Sequence, residues 1–111
     1  EMSRLGVEGG AKPATFAGLS GMGDLFATCF SSLSRNHYLG TQIGRGRTLG
    51  EAQRSMDNIA EGVDTTAAAM SASRRWGVSM PITETINDVL FNAMPVKDVV
   101  TRLMDRSPKA E

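Results

Sequence analysis

Two clusters in this chain have the residue types and spacing for chemistry: an acid that follows a run of glycines, and a hydroxyl, a guanidinium and a carboxamide in three consecutive positions. The first lies in Gly18-Leu19-Ser20-Gly21-Met22-Gly23-Asp24-Leu25-Phe26-Ala27-Thr28-Cys29, and the second is Ser34-Arg35-Asn36. The three glycines before Asp24 let backbone approach a ligand closely. A carboxylate in the first turn of a helix is stabilised by the helix dipole and stays ionised. There it can accept a hydrogen bond from a substrate hydroxyl or hold a catalytic lysine. Equally, an Asp after glycine serves as a plain helix cap, and the pattern leaves both readings open.

Ser34 has the residue type of an N-cap. The first-turn N–H groups of the helix it opens have no partner within the helix, and that end is electropositive. Arg35 adds a fork that fits phosphate in bidentate fashion. Asn36 adds two donors and an acceptor. Together they make a phosphate or pyrophosphate cradle, or else a capped surface helix with a solvated arginine.

Other residues carry weaker signals. His37 is the single histidine and fits a structural or surface role better than acid–base work. Cys29, the single cysteine, reads as a small buried apolar residue. Gly44-Arg45-Gly46-Arg47 and Arg74-Arg75 read as solvated helix ends. Gly21-Met22-Gly23 lacks the third glycine and the preceding strand of a dinucleotide fingerprint, and no Walker A sequence occurs. One His and one Cys give no metal-ligand spacing.

The elements that must hold these residues read as short helices. Met2, Leu5 and Val7 predict one before Gly9-Gly10. Pro13 opens a short piece through Phe16. Gly18 to Gly23 is expected to be a flexible turn, Asp24 to start about two apolar turns, and Phe30 to Leu33 to break them. The helix after Ser34 carries Tyr38, Leu39 and Ile43. Thr48-Leu49-Gly50-Glu51 is a capping box whose helix runs to about Met56, and residues 57–60 connect. Glu61 to Trp76 is the longest helix, with Val63, Ala67, Met70 and Ser73 or Arg74 as its inward stripe and Gly77 closing it. Pro81 opens a helix with Ile82, Ile86, Val89 and Leu90 on one face, and Pro95 another with Val96, Val99, Val100 and Leu103. The fold class is therefore all-α, some seven short helices without repeats.

Composition agrees with a single globular domain. The chain has 111 residues, 41% hydrophobic and 22% charged. Twelve basic and twelve acidic side chains cancel, which argues against a nucleic-acid partner. No apolar run nears the roughly 20 residues that span a bilayer, and nothing reads as a signal peptide. A lone cysteine forms no internal disulfide and fits a reducing, cytoplasmic setting. Met2-Ser3-Arg4-Leu5-Gly6-Val7 reads as the end of a helix already under way, so a fragment of a longer chain is expected.

Gly18 to Asp24 with Leu25, then Thr28-Cys29, then Ser34-Arg35-Asn36 and Gly40 closely resemble the C-terminal domain of the bacterial-type NAD(P)-dependent glycerol-3-phosphate dehydrogenase family. Residues 1–6 and 10–16, Ile59-Ala60-Glu61-Gly62-Val63 and Met80-Pro81-Ile82-Thr83-Glu84 resemble further pieces of it in the same order. The resemblance implies an all-helical domain of the 6-phosphogluconate-dehydrogenase C-terminal-like type over 1–107, with 108–111 a polar tail. It implies a Rossmann domain upstream, a homodimer, and interconversion of dihydroxyacetone phosphate and sn-glycerol 3-phosphate with NAD or NADP, supplying phospholipid synthesis. By motif, Asp24 would lie near the substrate hydroxyls and Ser34, Arg35 and Asn36 at the substrate phosphate. Arg35, Ile59 (through its backbone) and Glu61 would reach the dinucleotide, and Thr28 would lie near the substrate.

The family's proton donor is a lysine followed by asparagine. Lys12, Lys97 and Lys109 are followed by proline, aspartate and alanine, so none matches. The chain is expected to contain no catalytic residue and to be inactive alone. A different class stays open beside this one: a free-standing helical ligand-binding or interaction module.

Overall fold

The computed structural model describes residues 1–105; the expected end of the domain at 107 and the polar tail at 108–111 lie outside the described residues. Among those described there are eight α-helices and no strand: α1 (Met2–Glu8), α2 (Pro13–Ala17), α3 (Asp24–Phe30), α4 (Arg35–Gly44), α5 (Leu49–Arg54), α6 (Gly62–Trp76), α7 (Pro81–Phe91) and α8 (Val96–Met104). No helix among them is long and apolar enough to cross a membrane.

Residues Leu19–Gly23, expected as a flexible turn, instead form a π-helical turn that runs directly into α3. The cause lies in packing. Gly21 is buried, and a Cβ there would meet the Phe16 carbonyl oxygen at 2.2 Å. Its missing side chain lets this turn press against the α2 backbone, so the close approach that glycine permits is to protein and not to a ligand.

Three helix starts hold the fold together, each by different means. Thr48 Oγ1 accepts from Glu51 N, while the Glu51 carboxylate accepts from Thr48 N at 2.8 Å, which completes the expected capping box of α5. The α7 start is capped from the far end of the chain, 81 and 82 positions away: the Glu1 carboxylate accepts from Ile82 N, from Thr83 N at 3.0 Å and from Thr83 Oγ1 at 2.8 Å. Arg4 Nη2 donates to the Ser79 carbonyl beside it at 3.2 Å, so α1 is fastened to the entry of α7. The α6 start receives its partner from α4.

Leu39, Ala52, Ala60 and Val63 are buried together, with Ile43, Leu49 and Met56 against them. This cluster joins α4, α5, the connector and α6. Along α6 the inward stripe is Val63, Thr66, Met70 and Ser73, with Ala67 and Arg74 outside it. Ser73 tolerates burial because its hydroxyl donates to the Val78 carbonyl at 2.7 Å. That bond ties the α6 exit to the next strand of chain just after Gly77, whose φ of 66° ends the helix in the left-handed region.

The α7 face also differs from expectation. Thr85 is its buried residue, its hydroxyl returned to the Pro81 carbonyl at 2.8 Å, while Ile82 and Ile86 are exposed and Val89 and Leu90 half-buried. On α8, Val99 and Leu103 are half-buried and Val96 and Val100 exposed. Asp88 and Arg102 pair between α7 and α8. Apolar periodicity located these helices, and their rotation about the axis differs from the apolar stripe.

Candidate functional site

The α3–α4 corner is built from hydroxyls and one imidazole. Ser31 follows α3, and its hydroxyl accepts from Leu33 N at 3.2 Å. Ser34 N donates to the Ser31 carbonyl at 3.1 Å. Ser34 caps α4 as expected, its Oγ accepting from His37 N at 3.2 Å. His37 Nδ1 lies 2.8 Å from the Cys29 carbonyl oxygen, which fits its structural reading and fastens α4 to the end of α3. Cys29 is exposed, a correction to its reading as a buried residue. Its helix lies at the rim of the domain, and Phe26 and Phe30 on it are 63% and 74% exposed, so α3 has no core to offer a cysteine.

This corner opens onto a cleft of about 480 Å³ lined by Asp24, Ala27, Thr28, Ser31, Leu33, Ser34, Arg35, Asn36 and Glu61. Six residues singled out from sequence therefore share one cavity: Asp24, Thr28, Ser34, Arg35, Asn36 and Glu61. Asp24 sits in the first turn of α3, and the helix start carries no side-chain cap. The cap reading of Asp24 thus gives way, because the preceding π-helical turn already leads the chain into α3. Asp24, Ala27, Thr28 and Ser31 follow the i, i+3, i+4, i+7 spacing of one helix face. That spacing was present in the sequence and would have named Ala27 and Ser31 beside Asp24.

Arg35 faces Glu61 across the cleft, Nη2 to Oε1 at 3.9 Å, with both side chains largely exposed. It also borders a second hollow of about 380 Å³, which it shares with Leu33, Ser34, Tyr38 and residues 55–58. A single guanidinium is thus reachable from two sides. Asn36 is partly committed: its Oδ1 accepts from Gly62 N at 2.9 Å. Ile59 is 72% exposed and lies outside the cleft, on a separate small hollow of about 150 Å³ made by the connector. None of Gly18, Gly21 and Gly23 lines the cleft. Among the described residues, no group of three His, Cys, Asp or Glu side chains could hold a metal ion.

Fold and site together define an all-helical domain that carries a small polar cleft, with carboxylates, hydroxyls and one guanidinium, at the junction of two helix starts. Residues 1–101 match the family described as NAD-dependent glycerol-3-phosphate dehydrogenase C-terminus. Among similar proteins, the glycerol-3-phosphate dehydrogenase (NAD(P)+) of Chlorobium phaeobacteroides strain BS1 is 52% identical over all 111 residues, which cover 33% of that protein. Its counterpart in Geobacter sp. strain M21 is 51% identical over the same length, again 33% of the protein. The crystal structure of glycerol-3-phosphate dehydrogenase from Coxiella burnetii superposes with a TM-score of 0.90 at 31% identity, over 95% of this chain and 32% of that one. The chain belongs to the NAD-dependent glycerol-3-phosphate dehydrogenase family, as its C-terminal domain, and that family is one of oxidoreductases. It spans about a third of the length of the relatives it matches.

Proposed function

We propose that this chain is the substrate-side domain of a cytoplasmic, homodimeric enzyme that interconverts dihydroxyacetone phosphate and sn-glycerol 3-phosphate with NAD or NADP and so supplies glycerophospholipid synthesis. The single observation that carries the reading is the one cleft shared by Asp24, Thr28, Ser34, Arg35, Asn36 and Glu61. Membership of the family and the identity to full-length dehydrogenases support it.

In this reading Arg35 binds the substrate phosphate through its fork. Its pairing with Glu61 does not prevent that. An exposed ion pair at this separation is worth at most about 1 kcal/mol, against about 1.5–3 kcal/mol for a hydrogen bond to a charged group. The N-terminal end of α4 adds a positive potential at the same place. The Ser34 hydroxyl already serves His37 N, so its part is to fix the first turn. Asp24, across the cleft on α3, accepts from a substrate hydroxyl.

The dinucleotide fits only along one edge of this chain. Arg35 can donate to a phosphate and Glu61 can accept from a ribose hydroxyl or an amide, while Ile59, on the neighbouring connector, would contribute through its backbone. The nicotinamide, when bound, carries the hydride. The proton donor and most of the dinucleotide contacts lie on the part of the protein that this chain does not include, so the chain alone is inactive.

The test is the full-length protein assayed with dihydroxyacetone phosphate and NADH or NADPH, followed by loss of the reduced nucleotide. Turnover is expected with at least one nucleotide, and none with either would overturn the reading. Arg35→Ala should raise KM for dihydroxyacetone phosphate about 10- to 100-fold, the equivalent of one lost charge-assisted contact. An unchanged KM would remove Arg35 from the phosphate.

A further inference from the structure

The cleft is assembled from two stretches of chain distant in sequence, and one hydrogen bond between residues 26 positions apart joins them at its rim: Gly62 N to Asn36 Oδ1, at 2.9 Å. The two partners sit at matching places. Asn36 follows Arg35 at the start of α4, and Gly62 follows Glu61 at the start of α6. Below the rim, Leu39 on α4 packs with Ala60 and Val63, which flank the Glu61-Gly62 pair. The two helix starts are thus held together by a small apolar cluster underneath and by one amide above.

The bond answers a local need. The first N–H groups of a helix have no partner within it, and Glu61 at the N-cap of α6 makes no capping bond with its own side chain. The cap comes from another helix instead. It also demands glycine. A Cβ on residue 62 would lie 2.7 Å from Asn36 Oδ1 and 2.9 Å from Asn36 Cγ, closer than a Cβ stands to its neighbours, so Asn36 would have to shift. Arg35 and Glu61 cannot set their own spacing, since both are largely exposed and their 3.9 Å pairing is weak. Something rigid beside them must do it.

We propose that Asn36 and Gly62 form a positioning latch that fixes the Glu61 turn against the Arg35 end of α4, so that the phosphate side and the dinucleotide side of the cleft are set by a single contact. Gly62 touches no substrate and acts only through Asn36. The part of this inference that concerns kinetics rests on the dehydrogenase reading; the latch itself does not.

Gly62→Ala in the full-length enzyme is the decisive variant. Alanine's gain in helix propensity offsets the lost Asn36 bond, so the melting temperature should change by only a few degrees. KM for the dinucleotide and KM for dihydroxyacetone phosphate should both rise about tenfold, with kcat changed by less than about threefold. If the alanine acts by displacing Asn36, adding it to Asn36→Ala should cost nothing further. Asn36→Asp keeps an acceptor for Gly62 N–H while placing a negative charge by the phosphate. It should raise KM for dihydroxyacetone phosphate more than KM for the dinucleotide, the reverse of an effect through a displaced Glu61 turn.

Hydrogen exchange of the substrate-free full-length protein, read over residues 60–65, decides the latch without any turnover. Asn36→Ala should speed exchange there and Asn36→Asp should not. Equal exchange in wild type and Asn36→Ala, a kinetically silent Gly62→Ala, or additive costs in the double variant would overturn the proposal. A wild-type enzyme with no turnover would instead sink the dehydrogenase reading and leave exchange to judge the latch.

Discussion

Helices α5 and α6 begin in opposite ways. The start of α5 is satisfied within four residues, Thr48 and Glu51 exchanging bonds with each other's backbone. The start of α6 is satisfied by Asn36, from another helix. A cap built from neighbours in sequence forms whenever its own helix forms and positions nothing else. A cap borrowed from a distant residue exists only in the folded domain and ties two elements into a fixed relation. The α5 start lies away from the cleft, whereas the α6 start is part of its rim. The local cap acts within its own helix, whereas the borrowed caps add to stability and also fix how two elements sit against each other.

The strongest way to break that division is at the cleft itself. Asp24 faces the cavity without capping α3, so Asp24→Asn in the full-length enzyme should lower kcat about 100-fold and leave the far-ultraviolet circular dichroism unchanged. Loss of helix with that variant would return Asp24 to a structural role. Glu1 is the other borrowed cap, holding two backbone N–H groups and a hydroxyl at the α7 start. Glu1→Ala in the full-length protein should cost about 2 kcal/mol in denaturant unfolding, because more than one bond to a charged acceptor is lost. A cost no larger than that of a surface substitution would deny that α1 is anchored there.

Thr48→Ala removes the local cap and should cost about 1 kcal/mol with KM and kcat unchanged. A kinetic change there would end the distinction between the two kinds of helix start. The smallest effect is that of pH. Hydrogen bonds from the Thr48 backbone and hydroxyl hold the Glu51 carboxyl below its ordinary range, and those from Asn92 and Arg102 do the same for Asp88. Both groups release protons more readily folded than unfolded, so their stabilisation is present above the ordinary carboxylate range, about pH 4, and is lost as pH falls through the folded values. The melting temperature should therefore drop on acidification below about pH 4, and by less in a Thr48→Ala, Asp88→Asn variant. An identical acid profile in that variant would show that these carboxyls contribute nothing.

Much of the architecture is legible in the sequence. Proline and glycine punctuation, Ser34 and the Thr48-Glu51 box placed most helix ends, since capping chemistry is decided within four residues. Failures came where a distant neighbour decided the outcome. Gly21 looked like room for a ligand and is room for the α2 backbone. Ile82 and Ile86 looked inward, yet Thr85 is the inward residue, and its burial is allowed because its hydroxyl is returned to the Pro81 carbonyl. Cys29 looked buried by residue type and sits on a rim helix. In the cleft, the motif residues converge except Ile59, which lies on a separate hollow beside the connector.

By itself, then, the sequence determined the all-helical class, the local caps, the family and the residue types available for an anion and a hydroxyl. Tertiary structure decided that Asp24, Arg35 and Glu61 meet in one cleft, that Glu1 caps α7, and that the amide beside Arg35 is spent partly on Gly62. The physical reason is range. Helix propensity and capping act over a few residues and can be read along the chain. Which helices meet, and which side chain reaches across between them, is settled by packing that no short stretch of sequence contains.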